Sequence, residues 1–165
     1  MGKDENAETP KHSTDPENAA LLLDVMLGKL AVYLRMCGYD AVYALDRGIE
    51  ADDRLLVLAD EGGRRLLTRD VQLAQRTSDG VLLESRDVTD QLRELEEAGF
   101  ELSLNDQPVR CGRCNGPVER VGGDEKVPEY APNPSERAVF RCTRCGQHFW
   151  KGSHWDAVEE ALASL

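Results

Sequence analysis

Two C-x-x-C pairs, Cys111-Gly112-Arg113-Cys114 and Cys142-Thr143-Arg144-Cys145, constrain this chain more than any other feature. In an intracellular chain such pairs read as a metal site rather than as disulfides. Cys111, Cys114, Cys142 and Cys145 supply four thiolates, the number that closes a tetrahedral zinc site. Gly112 and Gly146 suit the tight turns that two such knuckles need. With sulfur in every position there is no opening for water, so the expected Zn²⁺ is structural. A redox-active C-x-x-C pair is the competing reading, and His148 or His154 could ligate only by displacing a cysteine. The fifth cysteine, Cys37, reads as a small buried hydrophobe.

Upstream, two stretches share one form: Leu21-Leu22-Leu23-Asp24 and Leu66-Leu67-Thr68-Arg69-Asp70. Each is an apolar run that stops at a carboxylate and passes directly into a helical pattern. Strands are expected at 19–24, 41–45, 66–68 and 80–83. Helices are expected from Leu27 to Leu34, from Ala51 through Leu55, Leu58 and Ala59, over 70–76 and over 89–98. Strands alternating with helices argue for βαβ units and a parallel sheet with helices on both faces. Further on, short β segments are expected near Val118 and over 138–141. A helix over 155–165 could be capped by Ser153 with Asp156 three residues on.

In an open parallel sheet the ligand crevice lies outside the carboxyl ends of the strands. Asp24 and Asp70 would then share a rim, joined by a helix-start acid, Asp53 or Asp52. An acid directly after three leucines is costly to desolvate without a partner or a metal. Clustered carboxylates favour Mg²⁺ or Mn²⁺, which take oxygen ligands and can activate water in phosphodiester hydrolysis. The bland alternative is that Asp70, Asp52, Asp87 or Thr89 caps a helix. Asp87 is the weakest member of the proposed cluster, and Asp46 and Asp79, outside it, rank lower still. Lys29, Arg35, Arg69 and Arg86 are the basic residues near this edge; Arg69 could meet a phosphate or neutralise the acids. Other enzyme classes fit poorly. Met26 stands where an aspartyl-phosphate phosphatase needs its second Asp, and no phosphate-binding glycine loop or G-x-S-x-G elbow occurs.

Composition divides the chain. Residues 1–18 are polar, with little to bury, and are expected to form a disordered acidic tail in which His12 is solvated. Residues 19–105 form the expected α/β domain, and 106–165 the zinc ribbon with its terminal helix, after a linker at 105–108. The first of these carries ten basic and seventeen acidic residues, net −7, while residues 110–155 carry eight and five, net +3. A polyanion would be gripped mainly by the second. The whole chain is at −11, with 15 Arg to 5 Lys, a balance that a high-salt, halophilic cytoplasm favours and many mesophilic proteins share. No apolar run reaches the ~18 residues of a membrane span, and no apolar signal core stands at the start, so a cytoplasmic location is expected.

Several of these residues lie in runs that resemble one known family. Asp24-Val25-Met26-Leu27-Gly28-Lys29-Leu30-Ala31, with Leu34-Arg35 and Gly38-Tyr39-Asp40, resembles the opening of the mutator-seven C-terminal RNase domain. Leu67-Thr68-Arg69-Asp70 with Leu73-Ala74 resembles its second hallmark. Arg110-Cys111, Cys114-Asn115, Cys142, Cys145 and Trp150-Lys151-Gly152-Ser153-His154-Trp155 resemble its zinc-ribbon end. The resemblance implies a PIN-like three-layer α/β/α sandwich with a parallel sheet, plus a small C-terminal zinc ribbon. It implies a metal-dependent ribonuclease in which Asp24 and Asp70 bind Mg²⁺ or Mn²⁺. The helix acid of PIN domains is usually Glu, and here only Asp52 or Asp53 is available. RNA is the implied partner, met by Lys29, Arg69, Arg113, Arg144 and His154. The rival expectations are a non-catalytic RNA- or ribosome-binding module and a protein-interaction adaptor. Oligomeric state is left open.

Overall fold

The computed structural model describes residues 14–165. Residues 1–13 of the expected tail, His12 among them, lie outside the described residues. Its last stretch is packed: the Thr14 carbonyl accepts bonds from the Tyr39 hydroxyl (2.6 Å) and the Glu101 amide (3.2 Å).

Four short strands, β1 (Ala20–Leu23), β2 (Asp40–Tyr43), β3 (Arg65–Thr68) and β4 (Val81–Leu82), form a parallel sheet in the order β2-β1-β3-β4. Burial on both faces is written into β1. Leu21 and Leu23 join the larger apolar cluster, with Leu27, Leu30 and Leu34 on one side and Leu92 and Leu95 beyond. Leu22 points the other way, to Leu55, Ala59, Leu66 and Leu73. The first cluster brings in α1 (Gly28–Met36) and α4 (Val88–Glu97), the second α2 (Asp52–Gly62) and α3 (Val71–Gln75). Consecutive leucines alternate across the pleat, so one run serves two helix layers. The α/β/α sandwich with a parallel sheet is therefore as expected.

Strand boundaries move where sheet geometry demands it. Ala44 and Leu45, expected in the second strand, belong to a 3₁₀ turn, Ala44–Arg47, because β1 offers partners only as far as Tyr43. A second 3₁₀ turn, Val25–Leu27, separates β1 from α1.

The C-terminal part is a three-stranded antiparallel sheet, β5 (Val118–Arg120), β6 (Phe140–Cys142) and β7 (His148–Phe149). Strand β7 was not expected: two residues are too few to show a period. The last helix, α5 (Ser153–Ala163), starts two residues before the expected position. Ser153 is inside it and Gly152 holds the cap position without a side-chain bond, so the expected capping box does not form.

The ribbon is fastened to the edge strand β2. Arg35, 3% exposed, donates from Nε to the Ala41 carbonyl (2.8 Å) and from Nη1 to the Gly112 carbonyl (3.0 Å). Asn115, at φ +70°, accepts from the Ala41 amide (3.0 Å) and donates to Asp40 Oδ1 (2.7 Å). These side chains take up polar groups of an edge strand that would otherwise stay open. Leu162 and Leu165 pack back against the larger apolar cluster.

Candidate active-site rim and zinc centre

The chain passes from β1 to β2 on one side and then crosses to β3 on the other side of β1. The carboxyl ends of β1 and β3 therefore flank the topological switch point, where open α/β sheets form their crevices. Asp24 follows β1 and Asp70 follows β3 by two residues.

Asp24 is 7% exposed. Its Oδ1 accepts from the Val25 amide (2.7 Å) and its Oδ2 from the Thr68 hydroxyl (2.8 Å). The same hydroxyl oxygen accepts from the Asp70 amide at 3.0 Å. Thr68, itself fully buried, thus links the two acids. Sequence reading gave it no role; its only signal was a hydroxyl at the end of an apolar strand. Asp70 caps α3, Oδ1 accepting from the Gln72 (2.9 Å) and Leu73 (3.2 Å) amides. The capping reading is real, and it leaves Oδ2 without a hydrogen bond among the described residues. Neither acid forms an ion pair among the described residues. A buried carboxylate held by two hydrogen bonds and no cation suits a hard divalent ion.

The remaining acids are placed differently. Asp53 is largely exposed, its Oδ1 2.6 Å from Arg76 Nη2. Asp52 opens α2 without capping it, and of the two expected caps of α4, Asp87 and Thr89, it is Asp87 that takes the position, accepting from the Thr89 and Asp90 amides. Asp46 pairs with Arg35 at 3.4 Å, and the Asp79 carbonyl accepts from Arg65 Nε. No group of three acidic side chains close enough to share an ion occurs among the described residues.

Of the expected basic residues, Lys29 and Arg86 are exposed, and Arg35 is the buried fastener described above. The Nε of Arg69 is buried without a partner. Beside Arg69, Glu94 accepts from the Glu84 (2.8 Å) and Ser85 (3.1 Å) amides. Burial works against that carboxylate, yet these amides and the Arg69 charge hold it below the usual glutamate range. Glu94 escaped sequence reading because nothing in a run of helix acids marks one that folds back onto a loop.

The four cysteines converge. Their sulfurs all lie within 4.8 Å of one another, with Cys111–Cys145 at 3.7 Å and Cys114–Cys142 at 3.5 Å. A tetrahedral site with Zn–S near 2.3 Å requires sulfurs about 3.8 Å apart, so the cluster fits zinc. The knuckles are near copies: Arg113 and Cys114 amides point at Cys111 Sγ (3.3 and 3.4 Å), Arg144 and Cys145 amides at Cys142 Sγ (3.3 and 3.4 Å). Burial opposes ionisation of Cys142, but these amides and the neighbouring thiols bring it down to about 7. Gly116 is required here, since a Cβ would stand 2.9 Å from Cys142 Sγ. Arg113 and Arg144, at the knuckle tips, are exposed, as is His154 on α5. Cys37 is fully buried and burial pushes its thiol up to about 12, consistent with a packing role.

In comparisons with known proteins, the family model of the Mut7-C RNAse domain matches residues 19–162. No curated protein and no solved structure matches significantly. Among the described residues no helix is long and apolar enough to cross a membrane.

Proposed function

This chain belongs to the Mut7-C RNAse domain family, and from that we propose a metal-dependent ribonuclease that hydrolyses RNA phosphodiester bonds at the Asp24–Asp70 rim. One observation carries the reading: Asp24 is buried at the switch point, without a countercharge among the described residues, and is tied through Thr68 to the Asp70 amide just beyond the adjoining strand. Asp24 and Asp70 would hold Mg²⁺ or Mn²⁺. Bound there, the ion supplies positive charge against the phosphodiester and makes water more acidic. The protein's part is orientation: Thr68 holds Asp24, the Val25 amide fixes its other oxygen, and the α3 amides fix Asp70. Lys29 and Arg69 meet phosphates near the rim, while Arg113, Arg144 and His154 of the ribbon region grip the strand.

Purified protein is assayed on single-stranded and structured RNA with Mn²⁺ at several salt concentrations. Asp24→Asn and Asp70→Asn should each lower cleavage at least about a hundredfold. Equal cleavage by all three proteins would assign the activity to a contaminant.

A non-catalytic RNA-binding module is the second reading, favoured by Asp53, which is exposed and paired with Arg76 rather than gathered with the other acids. It predicts no cleavage but tight RNA binding, weakened by Arg113→Ala with Arg144→Ala.

A further inference from the structure

Between α1 and the end of the ribbon lies a cavity of about 380 Å³ that neither the zinc centre nor the rim acids use. Val32 and Met36 of α1 line it on one side, His148, Trp150 and Trp155 on the other, and Arg110 adds a positive charge. Its walls are held in place. The Trp150 ring packs on Tyr130 at 6.2 Å, and the Lys151 ammonium stands 5.2 Å from the Trp155 ring centre. Gly152 permits this arrangement, because a Cβ there would lie 2.7 Å from Trp150 Nε1. His148 is 8% exposed, and its Nδ1 faces the Tyr130 hydroxyl at 3.5 Å. Its Nε2 is buried with no partner among the described residues. A buried ring nitrogen without a hydrogen bond is unfavourable unless a ligand completes it.

We infer that this cavity is a subsite for one unpaired nucleobase of the RNA strand, seated against Trp150 and Trp155 and hydrogen-bonded at His148 Nε2. The inference rests on the RNA reading above. Flat aromatic walls, one hydrogen-bonding group and flanking cations are what single-stranded bases are held by. The volume lies at the small end of ligand sites, about 300–1,000 Å³. A base within a duplex is stacked and cannot enter, so the subsite selects unpaired RNA. Val32 and Met36 lie about 6 and 12 Å along α1 from Gly28, at the helix end beside the rim. A strand anchored in the cavity can thus run past Lys29 towards Asp24.

The chain has two tryptophans, and both line this cavity, so tryptophan emission reports on it alone. The zinc-loaded full chain is titrated, without added Mg²⁺ or Mn²⁺, with single-stranded oligoadenylate, with a blunt RNA duplex of equal length and with inorganic polyphosphate. Saturable quenching by the single strand is expected, with about tenfold weaker response to the duplex and none to polyphosphate. His148→Phe, which keeps a ring but removes Nε2, should weaken single-strand binding about tenfold and leave polyphosphate competition unchanged. Met36→Phe, which crowds the cavity from α1, should do the same and serves if the first variant does not fold. Equal quenching by duplex or polyphosphate overturns the inference, as does an emission change on dilution of the protein alone, which would assign the cavity to contact between copies. Mn²⁺-dependent cleavage without quenching leaves the nuclease and removes the subsite; quenching without cleavage, in wild type as in Asp24→Asn, does the reverse.

Discussion

Thr68 shows how much one side chain can decide. Its hydroxyl serves Asp24 as donor and the Asp70 backbone as acceptor, so the two acids are set by one atom. Hydrogen bonds to charged groups contribute about 1.5–3 kcal/mol. Thr68→Val keeps the shape and removes the hydroxyl, and should lower unfolding stability by about that amount, read from the urea midpoint. Thr68→Ser should recover most of it. Mn²⁺-dependent cleavage should fall further in Thr68→Val than stability explains at temperatures where the variant stays folded, because Asp24 loses the bond that orients it. That Asp24 would need hydrogen-bond partners was legible, because an acid after three leucines has an obvious energetic problem. The direction Asp53 faces was not, because a helix-start acid meets solvent or crevice according to a rotation that sequence does not specify; here it faces Arg76.

At the scale of elements, the junction of β2 with the first knuckle joins sheet to ribbon. Asn115 occupies the left-handed region at φ +70°, where an alanine costs about 1–2 kcal/mol and glycine little. Both Asn115→Ala and Asn115→Gly lose the bonds to Ala41 and Asp40, but the alanine variant should unfold at lower denaturant by roughly that increment. Asp40 supplies the second handle. Burial works against its charge, yet the bonds from Arg64 and Asn115 hold its carboxyl below the usual aspartate range. A carboxylate depressed in the folded state stabilises above its unfolded value, about 3.9, and loses that contribution as pH falls through the lower folded value. Asp40→Asn should therefore be less stable than wild type at neutral pH, with the gap closing in acid below about pH 4; a gap independent of pH would contradict this. The element boundaries that sequence missed follow the same lesson. A two-residue β7 and the 3₁₀ end of β2 exist because neighbouring strands offer or withhold partners.

Across the whole molecule, a metal held by the four cysteines would be coupled to the fold. The thiolates close the ribbon, Arg35 and Asn115 fasten it to β2, and Leu162 and Leu165 of the C-terminal segment return to the apolar cluster under the sheet. One tightly held zinc per chain is expected by metal analysis. Chelation should lower the thermal midpoint of the entire protein in a single transition, monitored by far-ultraviolet dichroism and tryptophan emission together. A low transition seen only in emission would show that the ribbon opens alone.

By itself, the sequence determined what depends on local chemistry. Leucine runs choose buried parallel strands, helical spacing chooses the layers between them, and four cysteines in two knuckles choose a cluster that fits zinc. The order of strands was decided only in the tertiary structure, and with it the switch point that sets β1 beside β3 and brings Asp24, Thr68 and Asp70 together across 44 residues of chain. The same is true of the ribbon docking on β2 and of the aromatic cavity on α1. These depend on which faces pack against which, and that is settled by the summed burial of the whole core rather than by any short stretch of it.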